Sequence, residues 1–587
     1  MPFGAELVEG GVRFAIWAPG AADARLHLDG HDLPMERGAD GFFVRVDESA
    51  GAGSRYAYSF DGRDLLLPDP ASRFNPEDVH APSEVVDPDA FEWTDEQWRG
   101  RPWREAVVYE LHVGTFTPQG TYPAARDRLD YLAELGVTAI ELMPLADTPG
   151  TRNWGYDGVL PFAPEHSYGR PEELKRFVQD AHARGLMVLL DVFYNHFGPE
   201  GNYLDLYAPQ FFTDRHHTPW GRGLNFDDDS SATVRRFFID NALYWLEEYH
   251  FDGLRLDAVH AIADESSPSF LDSLAAQVRS RDFGRAVHLV LENDDNAARY
   301  LRRGADGEPQ AYDAQWNDDF HHALHALLAS EAGGYYRDYD RPAAHLLRSL
   351  LEGFAYQGEH SLYRSAPRGE PSAELPPEAF VSFLQNHDQI GNRPDGKRLW
   401  MLIAPERMLA AELLLALLPT SILLFMGDEF RAPTLFPFFC DFGGELGAAV
   451  EEGRRREFAH LSGGEPPPLP SPIAPEARNA AVLDWAAAQR EPHATALART
   501  RSWLGLRRSV LFPRLPARAE RGALLAERAL EATWRLADGA RLHVVANLDD
   551  VELRSWKAPG EPLACTSAPR ADATLPPWHV CWTLERG

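Results

Sequence analysis

The sequence FDGLRLDAVHAI, residues 251–262, decides the fold of this chain because it predicts a short buried strand that ends in a carboxylate. Side chains alternate between the two faces of a strand, so Arg255 and Asp257 point to the same side. A guanidinium next to a carboxylate favours the ionised form of that carboxylate at neutral pH. An ionised carboxylate in this position can act as a nucleophile, for example at the anomeric carbon of a sugar. A structural ion pair at a strand end explains these two residues equally well, so the rest of the chain must decide.

Strands and helices alternate on both sides of this stretch. Short apolar runs predict strands at residues 106–113, 138–144, 186–192, 253–256, 287–291, 311–316, 380–385 and 421–426. Helical patterns with start and stop signals lie at residues 122–135, 171–184, 230–249 and 407–418. Eight strands that alternate with helices predict an α/β fold, a closed parallel (β/α)8 TIM barrel.

Shorter strands with a period of two occur at both ends of the chain. Residues 1–95 contain several such strands separated by turns, which predicts an N-terminal β-sandwich. Residues 96–510 are assigned to the barrel domain, with a short inserted subdomain around residues 197–229. Residues 511–587 predict a C-terminal antiparallel β domain, with strands at 532–536, 541–547 and 551–556.

Composition excludes several classes of function. The net charge of -32 disfavours nucleic acid and anionic membranes as partners. Three cysteines, Cys440, Cys565 and Cys581, are an odd number without metal spacing, which argues against a disulfide framework or a zinc site. A secretory leader pattern and an apolar run of membrane-spanning length are both missing from the sequence. We therefore predict a cytoplasmic protein that uses no cofactor.

Polar residues follow the predicted barrel strands at the points where these strands end. They are Asp191, Asn195 and His196 after the third strand, Arg255 and Asp257 on the fourth, Glu292 after the fifth, and His387 and Asp388 after the seventh. Active sites of parallel barrels are built from these positions. Each residue alone could be structural, but carboxylates from three separate strands at one mouth indicate a catalytic site.

Four segments resemble the signatures of the α-amylase family of glycoside hydrolases. They are DVFYNH (191–196), GLRLDAV (253–259), LEN (291–293) and FLQNHD (383–388), and the leading sandwich is similar to a carbohydrate-binding module. The resemblance implies that Asp257 is the nucleophile, that Glu292 is the general acid/base, and that Asp388 stabilises the transition state. It also implies that Arg255 holds Asp257 ionised, that His196 and His387 bind the reacting sugar, and that Tyr156 stacks beneath this sugar. Asn195 matches a calcium ligand of many amylases, but residues 197–229 lack a dense carboxylate cage, so we predict no obligatory metal.

Further segments resemble the trehalohydrolase branch of that family. They are YDAQWNDDFHHALH (312–325), QNHDQIGNR (385–393) and FMGDEF (425–430), in which Asp428 stands where the branch has Glu. The resemblance implies hydrolysis of the α-1,4 bond next to the terminal trehalose of malto-oligosyltrehalose. The expected partners are this substrate and related α-glucans, with functional pairing to a trehalose-forming synthase. The alternatives are a glycogen branching enzyme, an isoamylase-type debranching enzyme and an inactive glucan-binding protein, which the intact Asp257 and Glu292 argue against.

A run of phenylalanines follows the eighth predicted strand. Residues 431–442, RAPTLFPFFCDF, place Phe436, Phe438 and Phe439 in a loop at the barrel mouth. We expect about half of the aromatic rings in this loop to pack beneath it. The remaining one or two, together with Trp220, are predicted to wall the pocket for the leaving sugar, since aromatic faces suit sugar rings.

Overall fold

The computed structural model describes residues 1–331, 333–462, 470–554, 559–568 and 574–586. Its N-terminal part contains two four-stranded sheets, with strand orders β1-β2-β6-β5 and β4-β3-β7-β8. These strands are β1 (Gly4–Val8), β2 (Gly11–Trp17), β3 (Ala24–Leu28), β4 (His31–Pro34), β5 (Glu36–Arg37), β6 (Phe42–Asp47), β7 (Arg55–Phe60) and β8 (Ser83–Glu84). The predicted β-sandwich is confirmed. Its inner faces meet in a core that includes Phe14, Leu26 and Tyr58.

Eight strands of the central part close into a parallel barrel. In chain order the strands here are β9 (Val107–Leu111), β10 (Ala139–Leu142), β11 (Ala146–Asp147), β12 (Leu160–Pro164), β13 (Met187–Phe193), β14 (Phe212–Thr218), β15 (Gly221–Leu224), β16 (Gly253–Asp257), β17 (His288–Leu291), β18 (Ala314–Trp316), β19 (His360–Ser361), β20 (Ala366–Pro367), β21 (Phe380–Phe383) and β22 (Ser421–Phe425). The barrel uses β9, β10, β13, β16, β17, β18, β21 and β22, which are the eight predicted strands. The other six form three two-stranded hairpins outside the barrel wall.

Helices connect the barrel strands. They are α1 (Val113–Phe116), α2 (Tyr122–Arg126), α3 (Leu129–Leu135), α4 (Pro171–His182), α5 (Ser231–Glu248), α6 (Phe270–Arg279), α7 (Asp318–Ala329), α8 (Pro342–Glu352), α9 (His387–Gly391), α10 (Pro405–Ala416), α11 (Gly444–Ser462), α12 (Pro475–Ala481) and α13 (His493–Leu506). The single helix predicted at 122–135 is two helices, α2 and α3, with a break at 127–128. Gly136 ends α3 at φ 101°, a conformation that favours glycine.

The segment 197–229 carries the hairpin of β14 and β15 together with two short 3-10 turns. This segment contacts the N-terminal sandwich, because Gly20 donates its backbone N–H to the Tyr207 carbonyl and Phe60 stacks on Tyr207. The hairpin tip extends to the barrel mouth, where Trp220 is exposed. The sandwich thus supports a segment that borders the site.

The C-terminal part is one five-stranded antiparallel sheet, in the order β23-β24-β25-β27-β26. Its strands are β23 (Ala517–Ala526), β24 (Ala529–Leu536), β25 (Arg541–Asn547), β26 (Glu561–Cys565) and β27 (His579–Glu585). The predicted strands at 532–536 and 541–547 are confirmed. The one at 551–556 is reduced to a single bridge at Leu553, with residues 555 and 556 outside the described residues.

A disulfide links Cys565 and Cys581, so the argument against disulfides from cysteine number was wrong. The two residues lie directly opposite each other on β26 and β27, a register that sequence spacing does not reveal. Cys440 is a buried free thiol. Across the described residues, we find no helix that is long and apolar enough to cross a membrane.

Candidate active site

Arg255 lies at the centre of the barrel mouth. It is fully buried, and its Nη1 lies 2.6 Å from Asp257 Oδ1 and 2.8 and 2.9 Å from the two carboxylate oxygens of Asp191. The guanidinium also lies 4.0 Å from the ring centroid of Trp316 on β18. The prediction that Arg255 and Asp257 share one face of their strand is confirmed. This short ion pair holds the Asp257 carboxylate in place beside the buried guanidinium.

Glu292 follows β17 and lies beside the end of β16. Its Oε2 accepts a hydrogen bond of 2.6 Å from the backbone N–H of Ala258, a residue in the left-handed region at φ 41°. Burial, followed by the negative charge of Asp257, raises the pKa of Glu292 to about 8, although Arg255 opposes this shift. Glu292 is therefore protonated at neutral pH, as a general acid must be.

Asp388 and His387 begin the short helix α9, which Asn386 caps by accepting from the Asp388 backbone N–H at 2.9 Å. The His387 ring bonds through Nδ1 to the buried carboxylate of Glu110 on β9. Burial disfavours a charged imidazole, but Asp388 and Glu110 outweigh it and raise the pKa of His387 to about 9. His387 is thus a cation beside Asp388. Glu110 was not predicted, although a glutamate within an otherwise apolar barrel strand is a recognisable signal.

A second buried carboxylate, Glu141 on β10, was also missed by the sequence reasoning. Both of its carboxylate oxygens are buried and lack a hydrogen-bond partner among the described residues. Burial, with the charges of Glu110 and Asp191, raises the pKa of Glu141 well above its usual range. Burial likewise raises the pKa of Asp191 to about 7, against the effect of Arg255. A layer of acidic groups with reduced charge therefore lies beneath the mouth.

Tyr156 and His196 form one wall of the mouth. The Tyr156 hydroxyl donates to Asp191 Oδ2 at 2.5 Å and lies 2.9 Å from His387 Nε2, so its ring stands against the imidazole. Burial lowers the pKa of His196 to about 4, so its ring is neutral at pH 7. Trp220 stacks on His196 with ring centroids 4.6 Å apart and planes at 10°, and it is 52% exposed. An exposed indole in this position offers a flat face to a sugar.

The phenylalanine loop packs mostly beneath the surface. Phe436 and Phe439 are 0% and 1% exposed, because they fill the space among Trp154, Phe425 and His112. Neither ring can touch a sugar in this structure. Contrary to the prediction, Phe436 and Phe439 therefore do not line the pocket but support the loop from beneath. Phe438 is only partly buried, against the edge of Trp154, and remains available as a wall residue.

An open cavity of about 450 Å³ lies on the side of Glu292 and Asp388 that faces α7. Its other lining residues include Asp318 on α7, Tyr335 on the turn 334–338, and Tyr363 and Arg364 on the hairpin of β19 and β20. Reasoning from strand ends could not find these residues because they come from the connection between β18 and β21. In the sequence, the motifs at 312–325 and 385–393 both point to this side of the site, because they contribute the lining residues Asp318, His322, Gln389 and Asn392.

We expect that neither the activity nor the stability of the protein depends on a bound metal ion. Asn195 directs its Oδ1 to the His196 ring at 2.8 Å. Among the described residues, two groups of histidine, cysteine and carboxylate side chains are close enough to hold an ion: Asp147 with Glu165 and His166, and Cys565 with His579 and Cys581, although the two cysteines of the second group form the disulfide. Treatment with EDTA should leave activity and the melting temperature unchanged. A fall in melting temperature that added calcium reverses would contradict this expectation.

Family models match three parts of the chain: the carbohydrate-binding module 48 (isoamylase N-terminal domain) at 2–79, the α-amylase catalytic domain at 86–220, and a domain of unknown function at 517–582. The barrel, its three carboxylates and these matches define the α-amylase class of proteins. A malto-oligosyltrehalose trehalohydrolase of Rhizobium sp. (strain M-11) is 43% identical over 517 residues, which cover 86% of each chain. This chain belongs to the malto-oligosyltrehalose trehalohydrolase family.

Two other comparisons concern a solved structure and a branching enzyme. A crystal structure from Salmonella typhimurium, provisionally described as an α-amylase, matches with a TM-score of 0.95 and 42% identity, covering 100% of this chain and 99% of the other. A 1,4-α-glucan branching enzyme GlgB of Bacillus caldolyticus is 35% identical over only 288 residues, or 44% of this chain and 43% of the enzyme. The similarity to the branching enzyme thus covers less than half of either chain.

Proposed function

We propose that this protein is a retaining α-glycoside hydrolase that cleaves the α-1,4-glucosidic bond next to the terminal trehalose of malto-oligosyltrehalose. The observation that carries the proposal is the position of Glu292, whose pKa burial raises to about 8, beside the ion-paired Asp257 and next to an open cavity. A retaining glycosidase needs one ionised carboxylate and one protonated carboxyl group on either side of the scissile bond. The family of the chain supplies the choice of substrate.

The first chemical step forms a covalent intermediate. An oxygen of Asp257 attacks the anomeric carbon, and the bond from this carbon to the glycosidic oxygen breaks as Glu292 donates its proton to the leaving oxygen. In the second step Glu292, now a carboxylate, removes a proton from water. The hydroxide oxygen bonds to the anomeric carbon, and the bond to Asp257 breaks. Two inversions leave the product in the α configuration.

Other residues at the mouth would bind the sugar that reacts. Asp388 can bind its hydroxyl groups. The rings of His387 and His196 would lie against the sugar, because the ring nitrogens of both already contact neighbouring protein groups. Tyr156 is held by Asp191 and His387, so its ring is fixed beneath this position. Arg255 acts through Asp257, which it orients through their ion pair.

The leaving unit would occupy the cavity beside Glu292. A general acid must lie within hydrogen-bond distance of the oxygen that it protonates, so the leaving sugar extends from Glu292. The cavity volume of about 450 Å³ lies within the range of small-molecule sites, about 300–1,000 Å³. Tyr335 and Tyr363 supply aromatic surface there, and Arg364 supplies hydrogen-bond donors. The cavity therefore suits a compact disaccharide such as trehalose.

Product analysis tests the proposal. Purified protein should release trehalose from malto-oligosyltrehalose, and NMR should show the α anomer first at any new reducing end. New α-1,6 linkages would instead identify a branching enzyme, loss of α-1,6 linkages from amylopectin a debranching enzyme, and binding without turnover a glucan-binding protein. An initial β anomer would remove Asp257 as the nucleophile.

The proposed substrate indicates which reaction must precede the one catalysed by this protein, and with it where the protein acts. A malto-oligosaccharide with a non-reducing α-1,1 end must be made by an enzyme that rearranges the terminal linkage of the chain. We infer functional pairing with such a synthase and a cytoplasmic location. Trehalose formation from plain malto-oligosaccharide should require both proteins in one reaction mixture.

The prediction that Trp220 and Phe438 contribute to the choice of substrate needs its own test, because neither residue lines the cavity beside Glu292. Trp220→Ala or Phe438→Ala should lower the preference for malto-oligosyltrehalose over malto-oligosaccharide, measured as the ratio of kcat/KM values. A lost contact of about 1–3 kcal/mol corresponds to roughly 10- to 200-fold discrimination. Trp220→Phe, which keeps a ring stacked near His196, is the matched control. Unchanged ratios of kcat/KM in both alanine variants would show that neither Trp220 nor Phe438 contributes to the choice of substrate.

A further inference from the structure

The motif at 316–319 places two adjacent aspartates in different surroundings. Asp319 is fully buried and accepts hydrogen bonds from Arg368 at 2.7 Å and from the backbone N–H groups of Ala355 and Tyr356 at 2.7 and 3.0 Å. It therefore anchors the connection that carries the hairpin of β19 and β20. Asp318 is the first residue of α7 and lines the cavity next to Glu292.

The carboxyl groups that line this cavity differ in their hydrogen-bond and ion-pair partners within the protein. Asp294 pairs with Arg364 and Arg368 at 3.0 and 2.9 Å, and Asp338 accepts from the Ser361 hydroxyl at 2.5 Å. Glu292 accepts from the Ala258 backbone N–H, as described above, and Asp388 accepts from the Asn392 side chain at 3.3 Å. Asp318 is the one carboxyl group in the cavity wall that has no hydrogen bond or ion pair within the described part of the chain. Asp318 is only partly buried, so its carboxyl group is open to the cavity and available to a ligand there.

We propose that Asp318 is a substrate-binding residue that holds a hydroxyl group of the leaving trehalosyl unit. The inference rests on the proposed function and adds a contact to its leaving side. The position follows from chemistry, because the leaving sugar extends from Glu292 into the cavity whose wall includes Asp318.

The charges around Asp318 determine how it would bind. Burial, with the charges of Glu292, Asp294 and Asp388, raises the pKa of Asp318 well above its usual range, and Arg368 only partly opposes this. These surroundings favour the neutral carboxylic acid, which can donate one hydrogen bond and accept another. A sugar hydroxyl needs both, so a neutral acid suits it without placing another negative charge beside the site.

Inhibition by the product separates binding from folding. Asp318→Ala should raise the inhibition constant of trehalose and the KM for malto-oligosyltrehalose about 3- to 10-fold, the usual effect of one lost neutral hydrogen bond. Asp318→Asn keeps a donor and an acceptor, so its inhibition constant should stay within about twofold of the wild-type value. Asp340→Asn, an exposed carboxylate outside this cavity, is the matched control and should change neither constant.

Each result decides something. If the wild type releases trehalose but Asp318→Ala is inhibited as strongly as the wild type, the proposal for Asp318 is wrong and the proposed function stands. If the asparagine variant loses as much as the alanine variant, a charged carboxylate binds the sugar and the neutral donor is excluded. A wild type that releases no trehalose overturns the proposed function itself. If the alanine variant does not fold, Asp318→Ser, which cannot reach as far, carries the same expectation.

Discussion

The Asp257→Asn variant is expected to lose nearly all hydrolysis, with kcat/KM for malto-oligosyltrehalose falling by about 10⁴-fold or more, while it still binds oligosaccharide. Removal of the group that forms the covalent intermediate leaves only the contribution of binding and the remaining site residues. The amide is nearly the same size as the carboxylate, so it can remain next to Arg255. Binding measured by calorimetry should therefore survive when turnover does not.

Two controls make this prediction specific. Asp306→Asn makes the same chemical change at an exposed turn and should leave kcat/KM unchanged. A melting temperature of Asp257→Asn close to that of the wild type would show that the loss is chemical rather than structural. Turnover near the wild-type rate, with trehalose still released, would mean that another carboxylate is the nucleophile.

The barrel and the positions of the three carboxylates could be predicted from sequence because both depend on local patterns. A buried strand of four to seven residues is visible as an apolar run, and closure of the barrel then brings the strand ends together whatever the loops do. Arg255 and Asp257 follow from the alternation of side chains within a single strand. No long-range information was needed for these conclusions.

Other parts of the site depend on contacts between distant segments and could not be predicted. The cavity beside Glu292 is built where α7, the turn 334–338 and the hairpin 360–367 meet. The sequence of the loop 431–442 does not show which phenylalanines turn inward, because Phe436 packs against Trp154 and Phe439 against His112, both far away in the chain. The same limit explains Cys565 and Cys581, whose pairing depends on the register of two strands.

The Glu292→Gln variant is expected to lose about 10²- to 10⁴-fold in kcat/KM, the usual contribution of general acid–base catalysis. In the wild type, kcat/KM should fall above about pH 8, because the free enzyme then loses the proton that Glu292 donates. Glutamine does not titrate, so this decline at high pH should disappear in the variant. A decline that persists in Glu292→Gln would assign it to another group, of which His387, with a pKa of about 9, is the first candidate.

A substrate with an activated leaving group separates the two roles of Glu292. An α-glucosyl fluoride needs little protonation to leave, so Glu292→Gln should form the covalent intermediate on Asp257 at close to the wild-type rate. The second step still requires a base to remove a proton from water, and glutamine cannot supply one. The variant should therefore show a rapid burst of fluoride followed by slow turnover, and mass spectrometry should find a glucosyl group attached to Asp257. Absence of both the burst and the adduct would show that Glu292 and Asp257 do not act as this acid–nucleophile pair, because a missing acid alone cannot block the first step with this substrate.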